Sequence, residues 1–463
     1  MFDLTNFTPW VLFSDAGIIL ALLLIGKLCR AKIKAIQSLF IPPSLIAGIL
    51  ALAFGPNGLQ WLPLSNNLGT YSAILIAVVF AALPLASPSF KIKEVAGKVG
   101  PMWAYSQFGM FFQWAAIGIL GILILTPIFK VPEFFGIMCP VGFYGGHGTA
   151  AAMGATFGEM GYPDALSLGM TTATVGVILG VICGVLFIKL ATKKKQTSYV
   201  TDFAELPGEL RSGLVPEDKR DDLGKATVSS ISIEHFTMHL GIVFVAAFGG
   251  YLISKGVKTA WPILDIPVFL SAYLVGLVAK LLLDKTKASY YVEQKTIGSI
   301  SGTATDLLVT CGVGAINLKV VTANALPLIA LLIIGIAATM FLCFYFARHL
   351  YKEDWFEKAI FAWGWWTGTM AIGIALLRIV DPKNESHALD NYALAFLPCA
   401  PVEIILILSV PIAFKGGWLL WLCLGYLVLS FLILLLAKKM GWWLTGKQLK
   451  ELKSGGASAP AQE

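Results

Sequence analysis

The chain is expected to be an all-α polytopic membrane protein. It should comprise two inverted-topology repeats of five transmembrane helices, each with a re-entrant hairpin, plus an extra C-terminal transmembrane helix. Three observations lead there. Of 463 residues, 57% are hydrophobic and only 13% charged, with a mean hydropathy of +0.78; a soluble domain carries about a quarter charged residues. Apolar runs long enough to span a bilayer recur along the chain. Two further apolar runs, 134–157 and 359–380, are interrupted by residues that break helices.

The spanning runs lie near 11–29, 40–57, 71–89, 103–126 and 165–188, then near 236–254, 266–283, 297–317, 323–347, 391–412 and 417–437. A polar, charged linker at 191–235 separates repeats at 1–190 and 236–412. Residues 413–463 supply the extra helix and a cytoplasmic tail, which from Lys447 reads as disordered. The first run is followed by Lys27, Arg30, Lys32 and Lys34 rather than a cleavage site, so it reads as a retained helix.

If the interrupted runs enter and leave on one side and the N-terminus is outside, 29 of the 34 Lys and Arg residues face the cytoplasm. A full crossing at 134–157 would place the linker and the next two basic loops outside, against the positive-inside rule. Re-entrant hairpins are therefore expected. The net charge of +7 is topological and implies no nucleic acid. Helix 103–126 then matches 323–347, and 165–188 matches 391–412; five crossings per half invert the second relative to the first, a pattern of secondary transporters. Trp10, Trp61, Trp261 and Trp418 fall near outer boundaries, and Trp103, Trp355, Trp442 and Trp443 near inner ones.

The first hairpin contains Pro140, then Gly145-Gly146-His147-Gly148-Thr149. Opened backbone survives at bilayer depth only where protein or a water-filled cavity satisfies it. The half-helix beginning near Thr149 offers free amides and a positive dipole end to a carboxylate. The competing reading, tight packing of small residues, fits Gly176, Gly180 and Gly184 better. His147 would bind substrate, carry a proton or brace the tip. Thr171, Thr172 and Thr174 offer hydroxyls to sodium, against the alternative of bonding back to the preceding turn. They cover more than one face, so at most two point at a ligand.

The second hairpin repeats the pattern in Thr367-Gly368-Thr369, with Trp363, Trp365 and Trp366 nearby. Arg378 would pair with a substrate carboxylate or sit at the interface beside Asp381. Asp306 and Glu403 are intramembrane carboxylates, each costing about 2.5–3.5 kcal/mol on insertion scales, and so are candidates for cation coupling or for a buried hydrogen bond. Asp15, nearer the outer end of the first run, reads as solvated. The seven cysteines form no C-x-x-C pair, and neither a disulfide framework nor a zinc site is expected.

At Gly145-Gly146-His147-Gly148-Thr149-Ala150, and at Thr171-Thr172-Ala173-Thr174-Val175-Gly176, the chain resembles the sodium/glutamate symporter family, over roughly residues 1–412. Gly364-Trp365-Trp366-Thr367-Gly368, Arg378 and the last helix depart from that family. The resemblance implies sodium-coupled symport of glutamate or a related small carboxylate, in a bacterial inner membrane, by a homodimer. The N-terminus would be outside, the linker and C-terminus cytoplasmic, with sodium the coupling ion and no cofactor. A proton-coupled organic anion carrier and an ion channel with two pore loops are the rival functions. Enzymes and ATP-driven pumps are disfavoured, since no H-E-x-x-H, G-x-S-x-G or G-x-x-x-x-G-K-[ST] motif appears.

Overall fold

The computed structural model describes residues 7–39, 41–86, 99–199, 212–260, 266–381, 385–446 and 448–449. The basic cluster at 91–98, Trp261, Lys383, part of the 191–235 linker and most of the tail lie outside them. Among the described residues every regular element is helical. In chain order the longer ones are α1 (Pro9–Lys32), α2 (Pro43–Phe54), α3 (Leu68–Ala86), α4 (Gly100–Phe129), α5 (Glu133–Phe143), α6 (Gly146–Glu159) and α7 (Ala165–Lys193). After the linker come α8 (His235–Ala260), α9 (Val268–Lys285), α10 (Gln294–Gly314), α11 (Ala325–Leu350), α12 (Trp355–Thr367), α13 (Met370–Val380), α14 (Ala388–Lys415) and α15 (Leu419–Lys439).

Among the described residues, eight helices are long and apolar enough to cross a bilayer: α1, α3, α4, α7, α8, α11, part of α14, and α15. Three expected crossings differ for separate reasons. Helix α2 has 12 residues, because Pro42-Pro43 starts it late and Gly55 ends it. Helix α9 carries Lys280, Asp284 and Lys285 in its final turns, and α10 is diluted by Gly, Ser, Thr and Asp. Both pack closely against α3 through apolar faces.

The helices gather into two lobes. α1, α2, α3, α8, α9 and α10 pack together, with apolar cores such as Ala77, Ala81, Ala272, Ile297 and Ile300. The second lobe holds α4–α7 and α11–α15 around a larger core in which Trp114, Trp363, Trp366, Phe134 and Phe361 are wholly buried. Helices α4 and α11 each contain one π-helical turn, Gly121–Leu125 and Leu342–Phe346, just ahead of a broken helix pair. The extra helix α15 lies along α4, where Cys423 fills the space left by Gly118.

Asp15 is a correction. It is 0% exposed rather than solvated, because the stretch before α3 folds over it. Its carboxylate accepts the Ser65 amide at 2.9 Å, the Ser65 hydroxyl at 2.5 Å and the Tyr71 hydroxyl at 2.8 Å. Asp15→Ala would leave those donors without an acceptor, at about 1–3 kcal/mol for each one that stays buried. The expected outcome is a melting point several degrees lower in detergent, read by thermal shift, whereas Asp284→Ala at the exposed end of α9 should leave it unchanged.

Candidate functional site

Both interrupted runs turn back on themselves. In the first, the rings of Phe134 and Phe157 stack with centroids 4.2 Å apart, so α5 and α6 begin and end side by side. In the second, Gly364 of α12 lies against Gly373 of α13, leaving no room for a Cβ at either. The bases of the two hairpins sit at opposite ends of α7. Phe134 meets Tyr162, just ahead of α7, while the Ser198 amide beyond its far end donates to Glu357 near the start of α12 at 2.6 Å. Helix α7 has 29 residues, or about 43 Å at 1.5 Å per residue.

The tips meet between those ends. Gly146 has a φ of +65°, a left-handed conformation that glycine takes without penalty. A Cβ there would lie 3.0 Å from the carbonyl oxygen of Gly368. Two half-helix N-termini therefore come together: α6, opening at Gly146, and α13, capped by the Thr369 hydroxyl, which accepts the Ile372 amide at 3.4 Å. Such ends present unpaired amides and positive dipole to an anion.

Helix α7 supports both tips through its small residues. A Cβ at Gly176 would strike the Thr367 carbonyl oxygen and approach Phe143 at 2.8 Å, and one at Gly180 would strike the Thr367 hydroxyl. At Gly184 it would meet Leu376 at 2.5 Å. The Trp363 indole donates to the Gly180 carbonyl at 2.8 Å, so that tryptophan packs and braces. Trp365 and Trp366 are buried at the second tip.

The threonines divide. Thr171 donates to Ser167 at 2.6 Å, and Thr172 to the Met138 and Gly169 carbonyls at 2.7 and 2.9 Å; both are used structurally. Thr174 lies 3.2 Å from His147 Nε2, beside the first tip. Thr149 is buried one turn into α6. Gly145 closes against the Thr149 side chain, whereas Gly148 faces Ile76 of the other lobe at an ordinary van der Waals distance from where its Cβ would be. Thr367 donates back to Trp363 at 2.7 Å. Arg378 is half-buried near the base of the second hairpin; Asp381 beside it caps the following turn by accepting the amides of Glu385 and Ser386.

The two carboxylates expected within the membrane separate. Asp306 sits in the first lobe, on α10, in electrostatic reach of Ser44 of α2. Glu403 belongs to α14 in the hairpin lobe, where it is half-buried.

Three residues at the tips escaped sequence reasoning. Gln113 of α4 donates to the Thr339 hydroxyl at 2.6 Å and to the Trp366 carbonyl at 3.1 Å, tying the second tip to α4 and α11. A glutamine in the middle of a spanning run was the available signal. Tyr144 immediately precedes Gly145, and Tyr392 packs on Trp365 with centroids 4.5 Å apart; nothing local marks either. Between the lobes, near the base of the first hairpin, lies a cavity of about 420 Å³ bordered by Asn57, Ser65, Asn66, Asp164, Ser167 and Asn317.

The family model described as Sodium/glutamate symporter matches residues 13–373, well over half of the chain. No curated protein matches.

Proposed function

The chain belongs to the sodium/glutamate symporter family, and from that premise we propose sodium-coupled uptake of glutamate or a related small carboxylate by alternating access. The observation that carries this reading is the meeting of two broken helices, Gly146 against the Gly368 carbonyl, with their bases at opposite ends of α7. Two N-termini at the junction suit a carboxylate, held by the amides around Gly146 to Thr149 and at Thr369. Carbonyl oxygens that the broken helices leave open, with the Thr174 hydroxyl, suit sodium, which takes oxygen ligands. Asp306 and Glu403 would add negative charge for coupling, and Arg378 would meet a carboxylate arriving from the second hairpin's side.

The placement of the hairpin bases, and the π-helical turn ahead of each hairpin, support two halves of opposite orientation. The cavity between the lobes supports access from the side of the first hairpin's base. A homodimer in a bacterial inner membrane, with the N-terminus outside, completes the reading. Counterflow of labelled glutamate in proteoliposomes tests it. Exchange should require sodium and fall at least tenfold in choline; exchange unaffected by choline overturns the coupling.

A further inference from the structure

We propose that Gln113 is a positioning residue for the substrate: it takes the Trp366 carbonyl, so that the second hairpin stays broken and the first amides of α13 stay free for a carboxylate. The inference rests on the carrier reading above and deepens it, naming the side chain that keeps the second hairpin's anion-binding end open.

The bonds around Gln113 fix the orientation of its amide. It is 0% exposed on α4, and its Nε2 donates to the Thr339 hydroxyl at 2.6 Å and to the Trp366 carbonyl at 3.1 Å. Thr339 gives its own proton to the Gly335 carbonyl at 2.8 Å, so its oxygen accepts here. A carbonyl has no proton to donate. Both contacts therefore require N–H bonds from Gln113. Its oxygen is buried without a partner, a cost that an apolar residue filling the same space would not carry.

Trp366 is where such a donor is needed. An unbroken α-helix would offer its carbonyl the amide four residues on, that of Met370. Gly368, with φ of −170° and ψ of −77°, departs from the helix, and Met370 begins α13 instead. The last carbonyls of α12 and the first amides of α13 are then without partners inside their own helices. The Thr369 hydroxyl caps the Ile372 amide, which leaves those of Met370 and Ala371 to a ligand. At the other side of the break Gln113 takes the place of Met370 as donor to Trp366. Residues four apart share a helix face, and α4 uses one such face to hold this tryptophan. The Tyr105 ring lies 4.9 Å from the Trp366 ring, a Cβ at Gly109 would strike that ring, and Gln113 bonds the carbonyl. With the Gln113 amide removed, the donor that a helix would supply to Trp366 is the Met370 N–H. Closing that bond would straighten the break and occupy an amide that the carboxylate needs.

The test reads sodium-driven glutamate uptake by the full chain in proteoliposomes. Gln113→Met, which keeps the bulk and loses the donor, should raise the half-saturating glutamate concentration at least tenfold while the maximal rate falls less than threefold. Gln113→His, which places an N–H at similar reach, should bring it back to within threefold of wild type. Tyr105→Phe is the matched lesion: it strands the Cys343 carbonyl, which the Tyr105 hydroxyl meets at 2.9 Å, and leaves the Trp366 carbonyl bonded. Its half-saturating concentration should move less than threefold. Equal shifts in Gln113→Met and Tyr105→Phe, or a value for Gln113→Met within threefold of wild type, overturn the proposal. Hydrogen exchange on the wild-type chain tests the same claim whether or not the variants fold. The amides of Met370 and Ala371 should exchange in sodium alone and slow at least tenfold when glutamate is added. Exchange there that ignores glutamate, in a chain that transports it, overturns the proposal and leaves the carrier reading standing. Wild-type liposomes that take up no glutamate in sodium overturn the carrier reading itself, and this role for Gln113 with it.

Discussion

Gly176→Val is expected to reduce uptake by at least a hundredfold while the protein remains folded and membrane-inserted. Gly176 separates the two hairpins. On one side stands Phe143, the last residue of α5, at 2.8 Å from where a Cβ would be, and on the other the Thr367 carbonyl oxygen in closer contact still. Phe143 lies three residues before Gly146, and Thr367 is the final residue of α12. A branched side chain would therefore drive both tips apart at once. Overpacking of a tight interior costs typically 1–3 kcal/mol, but an ångström of displacement at a binding site costs far more in function than in stability. Gly158→Ala supplies the control, since nothing lies within 4 Å of where its Cβ would be. Size-exclusion chromatography establishes folding, and counterflow reads function. Counterflow within twofold of wild type for Gly176→Val would mean that the tips do not form the site.

How far the sequence anticipated this arrangement depends on where each residue's partners lie. The glycines from Gly145 to Gly148, and Gly368 in the second run, mark the breaks locally, so both hairpins were legible at nearly their observed limits, although Pro140, read as part of the first break, lies within α5. The same holds for Gly176, Gly180 and Gly184, whose spacing places them on one helix face. Thr171 bonds back to the preceding turn, the alternative weighed for it, and Thr172 does so in part, its shorter bond going to Met138 of α5. Asp15 was misread because its burial depends on Ser65 and Tyr71, some fifty residues away. Gln113 is tied to Trp366, further off again. Glu403 was found from the cost of its charge, whereas Tyr144 and Tyr392, which pack on Trp365, carry no such mark. Local rules thus reveal where the backbone must open. The side chains that line the opening come from helices whose proximity only the fold establishes.

Gly146→Ala should lower apparent substrate affinity at least tenfold and uptake correspondingly, with less effect on folding. Two costs combine. A residue with a Cβ pays about 1–2 kcal/mol to hold the left-handed conformation in which Gly146 sits, with φ of +65°. The added methyl also stands 3.0 Å from the Gly368 carbonyl oxygen, closer than carbon and oxygen ordinarily approach, so one tip must retreat. At 1.4 kcal/mol per factor of ten, the conformational term alone accounts for roughly a tenfold loss if the strained tip is needed only in the bound state. Gly148→Ala isolates the contribution of position. It lies two residues further into α6, its Cβ would lie 3.7 Å from Ile76, and it should alter affinity by less than threefold. Sodium-dependent thermal shift with glutamate checks both variants without requiring turnover. If the two alanines behave alike, the left-handed turn at Gly146 carries no functional weight, and the carboxylate must be sought elsewhere along the hairpins.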